Sequence, residues 1–336
     1  MRIGMNPFKS VENVIKPKDI TITVLVHIPY LSGYYLNSLD ILQLTLGSII
    51  KNTEIPFDLM VFDNGSCIEV KSFLKDLLSR ELINYLILSA KNIGKNGAWN
   101  QIFGAAPGKY IVYTDSDIFF HPGWLSEHLR LYEAFPRVGT ITGFAMRRKP
   151  SFCEKTVELA EANPEIKVNK GKLIPQKQIN EFLTSLGKDL VKYAAKVKDV
   201  QDTIVQIHNV SAYVSAGHFQ FMIPAELAKQ VLPLPSNYPV GRDEQFLDKA
   251  VENSEHLRLA TTKVLVEHIG NVLTTKWKKV LSEYDLTNRS FLNSQNSGKK
   301  RLPMRLANWR LIRTPAIRIC NHIMNLCQRI MIFYSK

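Results

Sequence analysis

The sequence is poor in the residue patterns that build disulfide frameworks and zinc sites. Its four cysteines, Cys67, Cys153, Cys320 and Cys327, include no C-x-x-C pair and show no regular spacing. This arrangement argues against cysteine-based metal sites and against a disulfide framework, and it favours a reducing compartment.

Long apolar segments are also missing. No run of about 18 uncharged apolar residues occurs, which is the minimum for a helix that spans a bilayer. The N-terminal stretch "MRIGMNPFKSVENVIKPKDI" lacks the continuous apolar core of a secretion signal. We therefore expect a cytoplasmic protein, either free or in peripheral contact with the inner face of a membrane.

Acidic residues are absent from the end of the chain. After Asp285 the sequence has ten basic residues and no Asp or Glu, which leaves +3 of the +13 net charge for the preceding residues. A basic footprint spread over the main part of the chain is therefore not supported, and we expect no nucleic-acid partner.

The basic tail carries a helical pattern. Its apolar residues recur in steps of three and four, at Trp309, Ile312, Ala316, Ile319, Ile323, Leu326, Ile330 and Phe333. Such a cationic amphipathic helix can lie in the interface of an anionic membrane, but the same pattern suits a helix packed on its own domain or on a second subunit. The oligomeric state stays open.

What the first part of the chain does contain is an alternation of strand and helix patterns. Short β-branched runs occur at 20–28, 57–62, 83–89 and 110–114, and helical spacing separates the first three of them at 36–52 and 70–82. This order predicts an α/β fold with a parallel sheet flanked by helices.

The remainder suggests the domain boundaries. Residues 150–207 are rich in Lys and Glu and have helical spacing near their end, which predicts a helical insertion or lid. We expect an N-terminal extension at 1–19, a catalytic domain at 20–285 that contains this insertion, and a basic tail at 286–336.

Acidic residues follow two of the predicted strands. Asp63 comes after "LMVF", and Asp115 and Asp117 come after "YIVYT" as a D-x-D pair. Ligands of parallel sheets collect at the carboxyl ends of the strands, and neighbouring carboxylates raise each other's pKa unless a cation compensates them. The pair therefore suits Mg²⁺ or Mn²⁺, although a solvated turn with an aspartate cap would leave the same pattern.

The order of motifs resembles a known family. "VHIPY" after the first strand, "FDNGS" at 62–66, "NIGKNGAWN" at 92–100 and "YIVYTDSD" at 110–117 resemble the nucleotide-sugar domain of GT-A fold glycosyltransferases, especially family 2. The resemblance covers about residues 20 to 125. It implies the GT-A fold, an α/β fold with a mixed, mainly parallel sheet flanked by helices, and sugar transfer from a UDP-, GDP- or dTDP-sugar to a glycan or lipid-linked acceptor.

The resemblance also implies roles for single residues. Asp63 would hydrogen-bond the nucleoside, with Pro29 and Tyr30 along the nucleotide and Asn92 and Gly94 shaping the loop beside it. The acidic pair completes the donor site, where Asp115 would help to hold the donor and Asp117 would bind the metal.

Further positions follow from the later motifs. In "GRDEQFLDKA", Asp243 fits the place of the catalytic base in inverting members best, and Glu244 is the second choice; helix capping is the simpler alternative for either carboxylate. His268, in "VLVEHIG", resembles the histidine that completes the metal site. Gly217 and His218 occupy the place of the acceptor loop as weaker candidates.

Two departures from the family pattern bear on the predicted function. Asn64 stands where a second acidic residue is frequent, which leaves the choice of nucleotide open. No Q-x-x-R-W motif occurs and no membrane spans follow, so a non-processive transferase fits better than a processive synthase. Surface glycan or polysaccharide biosynthesis would suit a peripheral basic enzyme. Two alternatives stay open. One is a nucleotidyltransferase-like enzyme, and the other is a non-enzymatic basic adaptor that binds membranes or nucleic acid.

Overall fold

The first half of the fold alternates strands and helices as the sequence predicts. The computed structural model describes residues 15–149, 152–215, 217–236 and 244–286. Its first elements are β1 (Ile20–Val26), α1 (Ser38–Asn52), β2 (Asp58–Asn64), α2 (Ile68–Ser79), β3 (Tyr85–Ser89), α3 (Gly94–Ala105) and β4 (Tyr110–Asp115). Strand β1 pairs in parallel with β2 and β4, and β2 pairs in parallel with β3. The carboxyl ends of these four strands therefore meet at one edge of the sheet.

The second half mixes shorter strands and helices. Its elements are β5 (Ile118–Phe120), α4 (Trp124–Ala134), β6 (Val138–Thr142), α5 (Glu154–Glu161), β7 (Lys167–Gly171), α6 (Gln176–Ser185), α7 (Leu190–Lys196), β8 (Asp202–Ile207), β9 (Val210–Val214), β10 (Gln220–Pro224), α8 (Ala225–Gln230), α9 (Glu244–Asn253), β11 (Leu257–Ala260), β12 (Val266–His268) and α10 (Thr275–Leu281). Short 3₁₀ turns lie at Gly33–Tyr35 and Ser282–Tyr284.

One large sheet organises these elements. The strand order is β3-β2-β1-β4-β10-β6-β11-β9-β8-β7, with a separate two-stranded sheet of β5 and β12. Strand β10 runs antiparallel between β4 and β6, whereas β6 and β11 are parallel. The predicted α/β architecture with a mixed sheet flanked by helices is confirmed.

The central strands are apolar because helices cover both faces of the sheet. All seven residues of β2 are buried, and so are all but one of those in β1, "ITITVLV". A parallel strand covered on both sides is buried along its length rather than at alternate residues, which is the burial seen here. The polar residues at the carboxyl ends of these strands therefore lie at the edge of the sheet.

The insertion at 150–207 is helical only in part. It contains α5, α6 and α7, but also the strands β7 and β8, which pair with each other and extend the sheet through β9. The predicted helical residues Ile179 and Leu183 are buried on α6, and Gly187, at φ +63°, interrupts the pattern before α7. The β-branched run "DTIVQI" forms β8, which the abundance of Lys and Glu in this region obscured.

Arg147 and Asp202 fasten this insertion to the sheet. Arg147 follows β6, and its guanidinium donates to both carboxylate oxygens of Asp202 at 2.9 and 2.8 Å. Asp202 also accepts the backbone N–H groups of Leu173 and Ile174, both at 2.8 Å. Both charged side chains are almost fully buried.

Helix α1 leaves no room for a side chain at one of its glycines. A Cβ atom at Gly47 would lie 2.9 Å from Cβ of Tyr284 and would press on the carbonyl oxygen of the same residue. We expect Gly47→Ala to lower the free energy of unfolding by about 1–3 kcal/mol, the usual cost of overpacking. Chemical denaturation measures the change.

Gly104, in α3, provides the matched control. A Cβ there would meet no atom within 4 Å, so Gly104→Ala should be neutral or should stabilise by about 0.5–1 kcal/mol through helix propensity. Equal effects of the two substitutions would contradict the close contact between α1 and Tyr284.

Several sequence predictions fall outside the residues that the structure describes. They are most of the N-terminal extension, the proposed base Asp243, and the amphipathic helix of the basic tail. Among the residues that are described, no helix has the length and apolar character needed to cross a bilayer.

Candidate functional site

The structure brings the acidic residues of two strand ends to one edge. In the parallel register, Val26 of β1 lies opposite Asp63 of β2, and Leu25 lies opposite Asp115 of β4. Asp63 and Asp115 are therefore separated by β1, which is two strand spacings or roughly 10 Å. Asp117 follows in the turn between β4 and β5.

Asp63 occupies a tight turn at the end of β2. Its carboxylate is fully buried, accepts the backbone N–H of Ser66 at 3.2 Å and lies 4.0 Å from Nζ of Lys71. Gly65 has φ +81°, and a Cβ there would lie 2.8 Å from the backbone nitrogen of Asn92. A glycine is needed at this position because the chain turns with positive φ against the neighbouring loop.

A network of amides and one imidazole closes the loop beside Asp63. Asn64 donates to the side-chain oxygen of Asn92 at 3.0 Å and accepts from the backbone N–H of Ile93 at 2.9 Å. His27 contacts the backbone oxygen of Asn64 through Nδ1 at 2.9 Å and the amide of Asn92 through Nε2 at 3.1 Å. Gly94 donates its N–H to Asn92 at 2.8 Å. Asn64 thus has a loop-building role that the sequence did not predict.

Aromatic side chains line the outer rim after β1. Tyr30 is half exposed, and its ring meets that of Tyr35 edge-on at 5.3 Å, while Tyr35 meets Tyr34 in the same way at 5.0 Å. Pro29 precedes them and is partly buried. Pro29 and Tyr30 therefore lie at the same edge as Asp63.

Asp115 is held by two partners. Its carboxylate accepts the hydroxyl of Tyr113, and it lies 3.2 Å from Nζ of Lys95. Burial is the largest influence and raises the pKa of Asp115; Asp117 and Glu244 act in the same direction, Lys95 and Tyr113 oppose it, and the pKa lies above its ordinary value. Burial also lowers the pKa of Lys95, but Asp115 and Glu244 outweigh it and raise that pKa.

Asp117 pairs with His268. Strand β12 places His268 opposite Ile118 of β5, and its Nε2 lies 3.2 Å from Oδ2 of Asp117. The other nitrogen of His268 lies 2.9 Å from Oγ of Ser185. Within the described part of the chain, Oδ1 of Asp117 is buried and has no hydrogen-bond partner.

The predicted three-residue metal site is assembled only in part. Asp117 and His268 lie together, but Asp115 is turned toward Lys95, and the described residues contain no cluster of three or more His, Cys, Asp or Glu side chains that could hold a metal ion. The unpartnered oxygen of Asp117 is an available hard ligand, and an adjacent imidazole suits Mn²⁺. Asp117 and His268 fit a divalent cation, to which they would supply two ligands.

A chain of alternating charges leads away from Asp115. Lys95 bridges Asp115 and Glu244, with 2.8 Å to Oε1 of Glu244. Nδ1 of His218 lies 3.1 Å from Oε2 of Glu244, and its Nε2 lies 2.8 Å from Asp248. Asp248 in turn meets the guanidinium of Arg258 at 2.6 Å. We call Asp115, Lys95, Glu244, His218, Asp248 and Arg258 the charge ladder.

Contacts within the ladder shift the pKa values of Glu244 and His218. Burial raises the pKa of Glu244, but the hydrogen bond from His218 and the charge of Lys95 outweigh it and hold that pKa far below its ordinary value. Burial lowers the pKa of His218, but Asp248 and Glu244 raise it above its ordinary value. Glu244 is therefore an anion with two bound cations, which makes it a weak proton acceptor.

Sequence reasoning missed Lys95, Asp248 and Arg258 and ranked His218 low. Two signals were available. Lys95 directly follows Gly94 in the N-x-G motif, and Asp248 lies one helical turn after Glu244, on the same face of α9. Nothing in the pattern around Arg258 indicated its role.

One cavity lies away from this edge. It has a volume of about 430 Å³ and is bordered by α5, β8 and the loop after β6. Its wall includes Arg148 and Phe152, whose guanidinium and ring are 5.5 Å apart. None of the acidic residues at the strand ends borders it.

Fold and family match together give the class of protein. The mixed sheet covered by helices is the GT-A fold that the sequence resemblance implies. Residues 35–180 match the family described as Glycosyl transferase family 2. This confirms the family 2-like resemblance and the glycosyltransferase class. The matched segment includes Asp63, Asn92, Asp115 and Asp117, and ends before Glu244.

Three solved structures show distant similarity to this chain. The mannosyltransferase PcManGT from Pyrobaculum calidifontis, in complex with GDP-Man and Mn²⁺, is 14% identical over 76% of this chain and 57% of that chain, with a TM-score of 0.43. S. aureus TarS 1–349 is 14% identical over 87% and 77%, with a TM-score of 0.44. GalNAc-T7 with UDP, GalNAc and Mn²⁺ is 12% identical over 75% and 43%, with a TM-score of 0.47.

These likenesses are too distant to assign a donor or an acceptor to this chain. The chain spans a little over half of the mannosyltransferase and less than half of GalNAc-T7. No curated protein matches it in sequence.

Proposed function

We propose that the protein transfers a sugar from a nucleotide-diphosphate sugar to an acceptor hydroxyl, with inversion at the anomeric carbon and with one addition per binding event. The observation that carries the proposal is the meeting of Asp63, Asp115 and Asp117 at one sheet edge, where Asp117 presents a buried oxygen without a partner. Asp63 and Asp115 reach this edge from strands far apart in the sequence.

The donor would lie across this edge. Asp63 offers a buried acceptor for the nucleoside, Pro29 and Tyr30 flank the nucleotide, and the loop with Asn92 and Gly94 lets the backbone approach it. Asp117 and His268 would hold a divalent cation, Mn²⁺ or Mg²⁺. When bound, that cation supplies positive charge beside the departing diphosphate.

The remaining step is the attack of the acceptor, for which this chain would supply the base. The acceptor oxygen attacks the anomeric carbon as the bond to the nucleoside diphosphate breaks on the opposite face, and the hydroxyl proton passes to a carboxylate. Asp243 is proposed as that base. Glu244 is the poorer candidate because Lys95 and His218 already hold it as an anion.

Acceptor and location complete the proposal. We propose a glycan or lipid-linked acceptor, in surface glycan or polysaccharide biosynthesis, and peripheral contact of the basic tail at 286–336 with the cytoplasmic face of a membrane. The support is the charge of the tail, which carries ten of the +13 net charges.

Thermal-shift screening of the full chain tests the donor site. We expect UDP, GDP or dTDP to raise the melting temperature in the presence of Mn²⁺, and to have less effect with EDTA. A ligand at one hundred times its dissociation constant adds about 2.7 kcal/mol, which corresponds to about 4 °C for a chain of this size. Donor hydrolysis, followed by release of the diphosphate, then identifies the sugar nucleotide.

Two other outcomes would reject the proposal. Stabilisation by nucleoside triphosphates together with sugar-phosphate consumption indicates a nucleotidyltransferase. Indifference to every nucleotide, together with tight binding to vesicles that contain anionic lipid, indicates the adaptor.

A further inference from the structure

His218 stands between two carboxylates of one helix. Glu244 and Asp248 lie four residues apart on α9, so their side chains project from the same face. The ring nitrogens of His218 reach one carboxylate each, at 3.1 and 2.8 Å, and the residue is only 7% exposed. The imidazole therefore bonds two turns of α9 at once.

The backbone next to His218 is attached to the donor side. The N–H of Asp115 donates to the carbonyl oxygen of Phe219 at 2.8 Å, and the ring of Phe219 packs against that of His268 with centroids 6.3 Å apart. On the other side, Gly217 lies so close to Thr142 that a Cβ would come within 2.9 Å of its hydroxyl. The segment that carries His218 is thus fastened to the end of β4.

These contacts place His218 between the end of β4 and the start of α9. Its backbone lies beside the carboxyl end of β4, the strand of the D-x-D pair, and its side chain bonds the first turn of the helix that begins at Glu244. Lys95, on α3, links the same two elements, because it binds both Asp115 of β4 and Glu244 of α9. In the sequence, Asp243 immediately precedes Glu244.

We propose that His218 is a positioning residue for sugar transfer, which sets the start of α9 relative to the donor edge through Glu244 and Asp248. This role rests on the proposed function. In this role His218 acts through the two carboxylates.

The role requires the imidazole to be charged. Glu244 and Asp248 face it directly, Lys95 and Arg258 bind the far sides of those carboxylates, and Arg148 acts on Asp248. Two anions against one ring raise the pKa of His218, despite its burial. A raised pKa in the folded state means that this contribution to stability is complete below about pH 6.5 and is lost as the pH rises through the folded pKa.

The first experiment measures the charge of His218 without any substrate. Histidine resonances of the full chain are followed by NMR from pH 5 to 9, and His218→Gln identifies the signal by its loss. We expect a pKa above the ordinary value, and a decrease of about one unit in Asp248→Asn, which retains the imidazole but removes one anion. A pKa of His218 that lies at or below its ordinary value and does not change in Asp248→Asn would rule out the ion pair.

The second experiment measures the role in transfer. With the donor found by the screen above, His218→Gln should lower kcat by roughly 10- to 100-fold, the cost of a small misplacement, with the donor KM within about twofold of the original. In Asp248→Asn the loss of kcat on the basic side should begin about one pH unit lower. His208→Gln, in the exposed turn between β8 and β9, is the matched control.

The two experiments separate the possible failures. An unchanged kcat and pH profile in both ladder variants, with the original protein active, would overturn the positioning role. Absence of turnover with every donor would reject the proposed function and this role with it, while the NMR titration would still report the ion pair. A lower melting temperature of the variants with an unshifted pH profile of kcat would mean that His218 has only a structural role.

Discussion

An Arg147→Met variant is expected to lose about 3–5 kcal/mol of unfolding free energy, the usual cost of removing one partner from a buried ion pair. The side chains of Arg147 and Asp202 are 6% and 1% exposed. Without the guanidinium, the carboxylate of Asp202 keeps the backbone donors of Leu173 and Ile174 but stays buried with an uncompensated charge. Urea denaturation should show a lower midpoint with a similar slope.

Two further variants give this prediction its contrast. Arg147→Met combined with Asp202→Asn should recover part of the loss, because the buried charge disappears together with its partner. Lys177→Met removes a comparable cation from α6, but its pair with Glu181 is exposed, so a change of less than about 1 kcal/mol is expected. A loss below 1 kcal/mol in Arg147→Met would mean that the pair does not fasten the insertion.

Asp117→Asn should abolish the metal-dependent part of nucleotide binding. The variant keeps the shape of the side chain but removes the charge that the proposed cation needs, at an oxygen that has no other partner among the described residues. We expect the Mn²⁺-dependent rise in melting temperature to vanish and turnover to fall by about two to three orders of magnitude. Thermal shift with and without Mn²⁺, followed by donor turnover, measures both effects.

The ligand-free protein should change much less. The side chain of Asp117 is one-third exposed, so the melting temperature without metal should fall by only a few degrees. Asp76→Asn, on the exposed face of α2, controls for the loss of one carboxylate and should leave nucleotide binding unchanged. Full nucleotide stabilisation and turnover in Asp117→Asn would contradict the metal role of the D-x-D pair.

Much of the fold could be predicted because the parallel strands have an unambiguous signature. Runs such as "ITITVLV" and "DLMVFDN" are buried on both faces, and the helices between them show clear apolar spacing. The later strands could not be recognised in this way. β7, "KVNKG", is an exposed edge strand with polar side chains, so no apolar run marks it.

The candidate site was predictable where a residue follows a strand. Asp63, Asp115 and Asp117 lie at the predicted edge because strand direction alone determines that position. The charge ladder was not predictable, because it depends on side-chain reach between α3, α9 and β11, which are far apart in the sequence. Lys95 lies beside Glu244, a neighbour 149 residues away.

Helix α3 has one more consequence for the site. Asn96 donates to the carbonyl oxygen of Pro235 at 2.6 Å, and Asn100, one turn later, exchanges two hydrogen bonds with the backbone of Leu234. Helix α3, which begins beside the loop with Asn92 and Gly94, therefore also binds the chain at 234–235. Under the proposed function, a tilt of its axis would move the loop beside the donor and this segment in concert, so one helix sets the spacing between them.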